Sequence, residues 1–206
     1  MFEQEINELE NMELSEDFTI LNGSVPILFS APHTMEQVRE DGSMKPRETF
    51  TKAIVMYLNK YSNIYAIVKN TDTGIDSNRN NYDDYNVEIR RLIKDKNIKL
   101  VIDLHGASKD RNFDVEFGTL NNLSADYSTI KELEEAFIEN GITNIDNNNP
   151  FKGGAITQGI YSLDDVDVIQ IEINSKYRDY NKLIELEKII QSLQNFIKQY
   201  NDYINR

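Results

Sequence analysis

The chain has 206 residues, of which 39% are hydrophobic, 10% aromatic and 28% charged, a globular composition long enough for one domain with a substantial core. Its formal charge of −13 argues against nucleic acid or an anionic membrane as partner, because neither supplies the countercharge such a surface needs. Cysteine is absent, which excludes disulfides and thiolate metal sites, so any transition metal must be held by histidine and carboxylate.

Residues 1–18 read as an acidic helix or arm, a solvated cap without the apolar core of a signal peptide. No segment approaches the roughly 18 apolar residues of a membrane span, and the expected location is the cytoplasm. Val25 to Phe29 is the first strand, left through Ser30-Ala-Pro-His33. The polar segment from His33 to Arg47, punctuated by Gly42 and Pro46, reads as a long loop. Glu48 to Tyr61 carries Phe50, Ala53, Ile54, Tyr57 and Leu58 at helical spacing. Ile64 to Val68 is a second strand, followed by a polar stretch containing Asp76-Ser-Asn-Arg-Asn80. A short helix, Tyr85 to Lys96, leads into Ile98 to Ala107, whose apolar run ends on Asp103, His105 and Gly106. A run apolar on both faces predicts a central parallel strand, and open α/β sheets place their ligands at the carboxyl ends of such strands.

Further on, the alternation of Phe113 to Phe117 predicts a strand with one wetter face. Ser128 to Asn140 is a helix closed by Gly141 at the C′ position, and Asn147 to Gly154 is a turn-rich loop. Val166 to Ile173 is another strand, with Glu172 near its carboxyl end, and Tyr180 to Ile204 is a long amphipathic helix covering one sheet face. Strands alternating with helices predict a single domain over residues 1–206, a three-layer α/β/α fold with a mixed, mainly parallel central sheet.

His33 and His105 are the only histidines, and each ends a buried strand. Two histidines and one glutamate are a standard three-ligand set for a catalytic zinc, which keeps its fourth position open. Two glutamates compete for the third place. Spacing alone favours Glu36, which makes a local H-x-x-E with His33 and so constrains both ligands together, over Glu48, which opens the next helix after a longer loop.

Asp76-Ser-Asn-Arg-Asn80 resembles the D-x-N-R-N segment of zinc carboxypeptidases. The order His33, Glu48, Asp76 to Arg79, His105, Glu172 is similar to the order of parts in that fold. Ser30-Ala-Pro-His33, Asp103-Leu-His-Gly106, Phe151-Lys-Gly-Gly154 and Ile169-Gln-Ile-Glu-Ile-Asn174 resemble signatures of one branch, the N-formylglutamate amidohydrolases, over residues 25–180. The resemblance implies one zinc per chain on His33, Glu48 and His105, with residues 34–47 as a lengthened active-site loop and Glu36 as the alternative ligand. It implies that Glu172 is the general base, and that Asn78 and Arg79 grip a substrate carboxylate through the bidentate fork that arginine offers. Asp76 is expected to hold a zinc histidine by its free ring nitrogen, and Asp103 is a second candidate for that task. Gly153 and Gly154 are expected to let backbone approach the ligand. Arg39, Arg47 and Arg178 are the further basic candidates, one of them for the oxyanion. The expected activity is hydrolysis of a small N-acylated, carboxylate-bearing substrate. The competing readings are a carboxypeptidase-like hydrolase of glutamyl or other short peptides, an aspartoacylase-like deacylase and an inactive metal-binding domain. At 206 residues the chain looks short for this branch, which implies reduced substrate-enclosing loops.

Overall fold

The computed structural model describes residues 2–163 and 165–205. A seven-stranded sheet forms its middle layer, made of β1 (Phe18–Leu21), β2 (Val25–Ala31), β5 (Ile64–Lys69), β6 (Leu100–Ala107), β7 (Val115–Gly118), β8 (Ile145–Asn147) and β9 (Asp167–Asn174). The order across the sheet is β1-β5-β2-β6-β9-β7-β8, with β5, β2, β6 and β9 mutually parallel, β1 antiparallel to β5 and β7 antiparallel to β9. The helices are α1 (Phe2–Asn11), α2 (Thr51–Ser62), α3 (Asp84–Lys96), α4 (Tyr127–Glu139), α5 (Ala155–Tyr161) and α6 (Leu183–Ile204). None is long and apolar enough to cross a membrane.

Because side chains alternate along a strand, the continuous apolar runs feed two cores. Phe29, Leu100, Ile102, Ile169 and Ile171 pack against α1, α2, α4 and α6, whereas Leu28, Ile67, Val101 and Val168 pack against α3 and α5. On the second face each central strand is apolar at first and polar two residues later. Ile67 gives way to Lys69, Leu28 to Ser30, Val101 to Asp103 and His105, and Val168 to Gln170 and Glu172. The smaller α3–α5 core therefore stops partway up the sheet, and His105, Gln170 and Glu172 of the polar stripe beyond it line a cavity.

Several elements depart from expectation. The acidic N-terminus is no solvated cap: Ile6 is fully buried, and the buried Glu10 carboxylate accepts the Phe50 N–H at 2.9 Å and pairs with Arg47. The loop after His33 contains a small hairpin, β3 (Gln37–Val38) with β4 (Met44–Lys45). Val115–Gly118 has no wetter face, because it lies between β8 and β9 and is buried throughout. Its Glu116 survives there by accepting the Asn149 N–H at 2.5 Å and the Phe151 N–H at 2.7 Å. Gly141 does take the left-handed conformation just past α4, at φ +81°.

Candidate metal centre and catalytic site

His33 leaves β2, His105 lies near the end of β6, and Glu48 precedes α2. The His33 Nε2–H donates to Asp76 Oδ1 at 2.8 Å, and the His105 Nε2–H donates to Asp103 Oδ2 at 3.0 Å. A carboxylate can only accept, so these bonds take the Nε2 protons and turn each Nδ1 toward Glu48 and the other ring. The two Nδ1 atoms lie 3.1 Å apart; Glu48 Oε1 is 3.1 Å from that of His33, and Oε2 is 3.4 Å from that of His105. Among the described residues, His33, Glu48 and His105 form a buried group whose ligand atoms all lie within 4.8 Å of one another.

Tetrahedral zinc with bonds of about 2.0–2.1 Å sets its ligand atoms about 3.3 Å apart, close to the Nδ1–Nδ1 distance and to the distance each ring keeps from one of the two Glu48 oxygens. Two Nδ1 atoms and a carboxylate this close repel one another unless positive charge, a proton or a metal ion, lies between them. Burial opposes protonation of His105, yet Asp103 and Glu48 outweigh it and hold the ring well above its ordinary pKa, a second sign that the centre favours positive charge. Burial likewise opposes ionisation of Glu48, but the two imidazoles hold its carboxyl well below the usual range. The donor set thus fits a divalent metal ion.

Local structure fixes Glu48. Its backbone N–H donates to the His33 carbonyl at 2.8 Å and closes the long loop at its base. Its Oε2 accepts the Gly106 N–H at 2.9 Å, and Oε1 takes the Lys45 ammonium. Phe50, two residues on, is held at φ +66°, a strained position for a residue with a Cβ, by the Glu10 carboxylate on its N–H. Glu36 lies elsewhere: it is exposed and lines a separate cleft with Glu10 and Arg47.

Glu172 sits beside His105 in the β6–β9 register and faces the same cavity, a space of about 630 Å³. Burial pushes its carboxyl up to about 7; the Glu48 carboxylate adds to this and His105 opposes it. The Gly154 N–H donates to Gln170 Oε1 at 2.7 Å, which turns the Gln170 amide so that its Nε2–H donates to Glu172 Oε1 at 2.9 Å. Glu172 Oε2 has no protein donor among the described residues. Gln170 was missed in the sequence, although a residue two positions before Glu172 shares its face by strand periodicity.

The cations divide by their partners. Asp76, which holds His33, also accepts from Arg39 Nε at 2.7 Å; burial opposes its ionisation, but these bonds and the Asn78 N–H keep it well below the usual carboxylate range. Arg79 is 52% exposed and pairs with the equally exposed Asp41 at 2.9 Å. Asn78 packs its amide where a Cβ on Gly154 would sit, 1.9 Å from Asn78 Oδ1, and that buried oxygen has no partner among the described residues. Gly153 takes φ +113°, which only glycine adopts readily. Arg178 is buried and spends its guanidinium on the carbonyls of Ile173, Thr49 and Ala107, and Arg47 lies outside the cavity. Two cavity cations that the sequence did not single out are Lys45 and Arg111.

No curated protein matches this sequence. Among solved structures, the chain is similar to an N-formylglutamate amidohydrolase from Ralstonia eutropha JMP134, 14% identical, with a TM-score of 0.68 over 93% of this chain and 99% of that one. It is similar to a bacteriophage poly-gamma-glutamate hydrolase at 14% identity and TM-score 0.61, over 98% and 97% of the two chains. The catalytic domain of CwlV, an N-acetylmuramoyl-L-alanine amidase from Bacillus (Paenibacillus) polymyxa var. colistinus, matches at 14% identity and TM-score 0.52, over 85% and 97%. At these identities the likeness establishes the fold. It also corrects the expectation of an unusually short chain, since the Ralstonia protein is spanned almost end to end. The model of the N-formylglutamate amidohydrolase family matches residues 43–177, from the hairpin before Glu48 to past Glu172, and the chain belongs to that family of amide-bond hydrolases.

Proposed function

We propose that the protein is a zinc-dependent hydrolase that cleaves the amide bond of a small N-acyl amino acid such as N-formylglutamate, with one zinc per chain on His33, Glu48 and His105. The observation that carries this reading is the buried set of two carboxylate-bonded imidazoles and Glu48, with ligand atoms within 4.8 Å of one another, and the Glu172 carboxyl on the neighbouring strand. When bound, the metal polarises the scissile carbonyl and makes water more acidic.

The protein's own groups supply the rest. Arg79 exchanges Asp41 for a substrate carboxylate, an easy exchange because an exposed ion pair is worth about 0–1 kcal/mol. The unpartnered Asn78 amide binds beside it. Glu172 takes the proton of the attacking water at Oε2 while Gln170 holds Oε1 in place. A carbon–oxygen bond forms, the proton passes to the amide nitrogen, and the carbon–nitrogen bond breaks to release an acid and an amine. Lys45, beside Glu48 and facing the cavity, stabilises negative charge growing on the carbonyl oxygen.

The test is the metal content of protein purified without added zinc, followed by a hydrolysis screen of N-acyl amino acids with the zinc-loaded enzyme. One zinc per chain and amine release are expected. Equal turnover by stripped protein would overturn the zinc assignment. Inertness toward every N-acyl amino acid would overturn the substrate class.

A further inference from the structure

The cavity carries cations on both flanks of the metal centre. On the β5–β2 side are Arg39, bonded to Asp76, and Arg79, bonded to Asp41. On the other side, following β6, is Arg111, which makes no ion pair among the described residues and is nevertheless held in place. Its guanidinium lies over the Phe151 ring, 4.8 Å from the centroid, and its carbonyl accepts from Asn174 Nδ2 at 3.2 Å. Phe151 is itself fixed: Phe113 meets it edge-on at 6.2 Å, and the buried Glu116 carboxylate takes its backbone N–H at 2.7 Å. Stacking uses the face of a guanidinium and leaves its edge N–H groups free, the arrangement that suits bidentate capture of a carboxylate. Arg111 is exposed where it lines the cavity, so the N–H groups that no acceptor among the described residues takes are open to a ligand carboxylate.

Resting on the amidohydrolase reading above, we infer that Arg111, stacked on Phe151, is a specificity residue for a second substrate carboxylate on the opposite side of the scissile amide from the one bound by Arg79. The substrate class is then an N-acyl amino acid whose acyl group ends in its own carboxylate, such as a γ-glutamyl or succinyl amide. Space agrees with charge. A cavity of about 630 Å³ is of the size that holds a drug-like ligand, and a formyl group would leave the Arg111 flank unfilled.

The experiment compares kcat/KM of the zinc-loaded enzyme for γ-glutamylglutamate and N-formylglutamate, in wild type, Arg111→Gln and Arg111→Lys. Wild type should favour the acyl-charged substrate. Arg111→Gln should lose at least tenfold more on that substrate than on N-formylglutamate, the scale of one charged hydrogen bond, and Arg111→Lys should recover part of it. Absence of the preference in wild type, or its survival in Arg111→Gln, would overturn the inference. A second measurement separates this from the reaction itself: binding of a ketomethylene analogue of γ-glutamylglutamate to the metal-free protein by calorimetry. Should neither substrate be cleaved, the amidohydrolase substrate class falls. A tenfold weaker analogue affinity in Arg111→Gln would still support the role of Arg111, and unchanged affinity would refute it.

Discussion

Replacing Glu172 by glutamine separates proton transfer from metal binding. The side chain is 6% exposed, and its Oε1 accepts from Gln170, a bond that a glutamine oxygen at the same place can also accept. Burial pushes this carboxyl up toward neutrality, so a neutral amide of the same shape should move Tm by no more than a few degrees. Glu172 is not among the three donors of the metal centre, so zinc content should remain at the wild-type level. What disappears is the proton acceptor, and general-base catalysis is worth about 10²–10⁴-fold, or about 2.7–5.5 kcal/mol of barrier. The assay is kcat for Glu172→Gln and wild type at saturating substrate, with zinc measured in the same samples by mass spectrometry. Turnover within a few-fold of wild type would remove Glu172 from the mechanism. Loss of zinc together with activity would make it a ligand instead of a base.

The metal centre makes a paired prediction: Glu48→Gln should lower zinc occupancy and Glu36→Gln should leave it unchanged, and the reverse pattern would place the ligand in the local H-x-x-E. Arg79→Ala should abolish the preference for an N-acyl amino acid over its carboxamide, at a cost of at least about tenfold in kcat/KM; equal discrimination by both enzymes would pass that role to another cation. Gly106→Ala would drive a Cβ to 2.3 Å from the buried Arg178 guanidinium. It should destabilise the fold by at least about 1–3 kcal/mol in denaturant titration, and wild-type stability would show that Arg178 is freer than its three carbonyl bonds imply.

The legible parts of this protein were those set by periodicity. Leu100-Val-Ile102 followed by Asp103 and His105 announces a buried strand with a polar carboxyl end, and the register pairs it with Val168, Gln170 and Glu172 as the same pattern one strand over. Spacing alone favoured Glu36, yet it is Glu48 that lies beside the two histidines, brought back by the β3–β4 hairpin, whose two-residue strands leave almost no signal in sequence. Helix α5 was hidden for a similar reason, being seven residues long with Gly159 inside it. The arginines were the least readable. Arg178 and Arg111 differ only in what surrounds them, three backbone carbonyls for one and an aromatic face for the other, and both environments are assembled from distant parts of the chain. The wetter face expected for Phe113 to Phe117 failed because the polar residues of a period-two pattern can also be met by internal donors, as Glu116 is by the Asn149 and Phe151 N–H groups.

The hydrogen bond from the Glu48 amide to the His33 carbonyl makes residues 34–47 a closed ring on the chain, with both metal-facing residues at its neck and Arg39, Asp41 and Lys45 around its rim. A loop tied at its base can change length or sequence at the tip without moving what the base holds, and added length costs only slowly in entropy. On the proposed function, substrate contacts and metal donors would share this one short segment, linked by Lys45, which bonds Glu48, and by Arg39, which bonds the Asp76 that holds His33. Grafting a different tip between Glu40 and Ser43, clear of Arg39 and Lys45, would show whether this rim tunes the Arg79 flank, since Asp41 is the residue that pairs with Arg79.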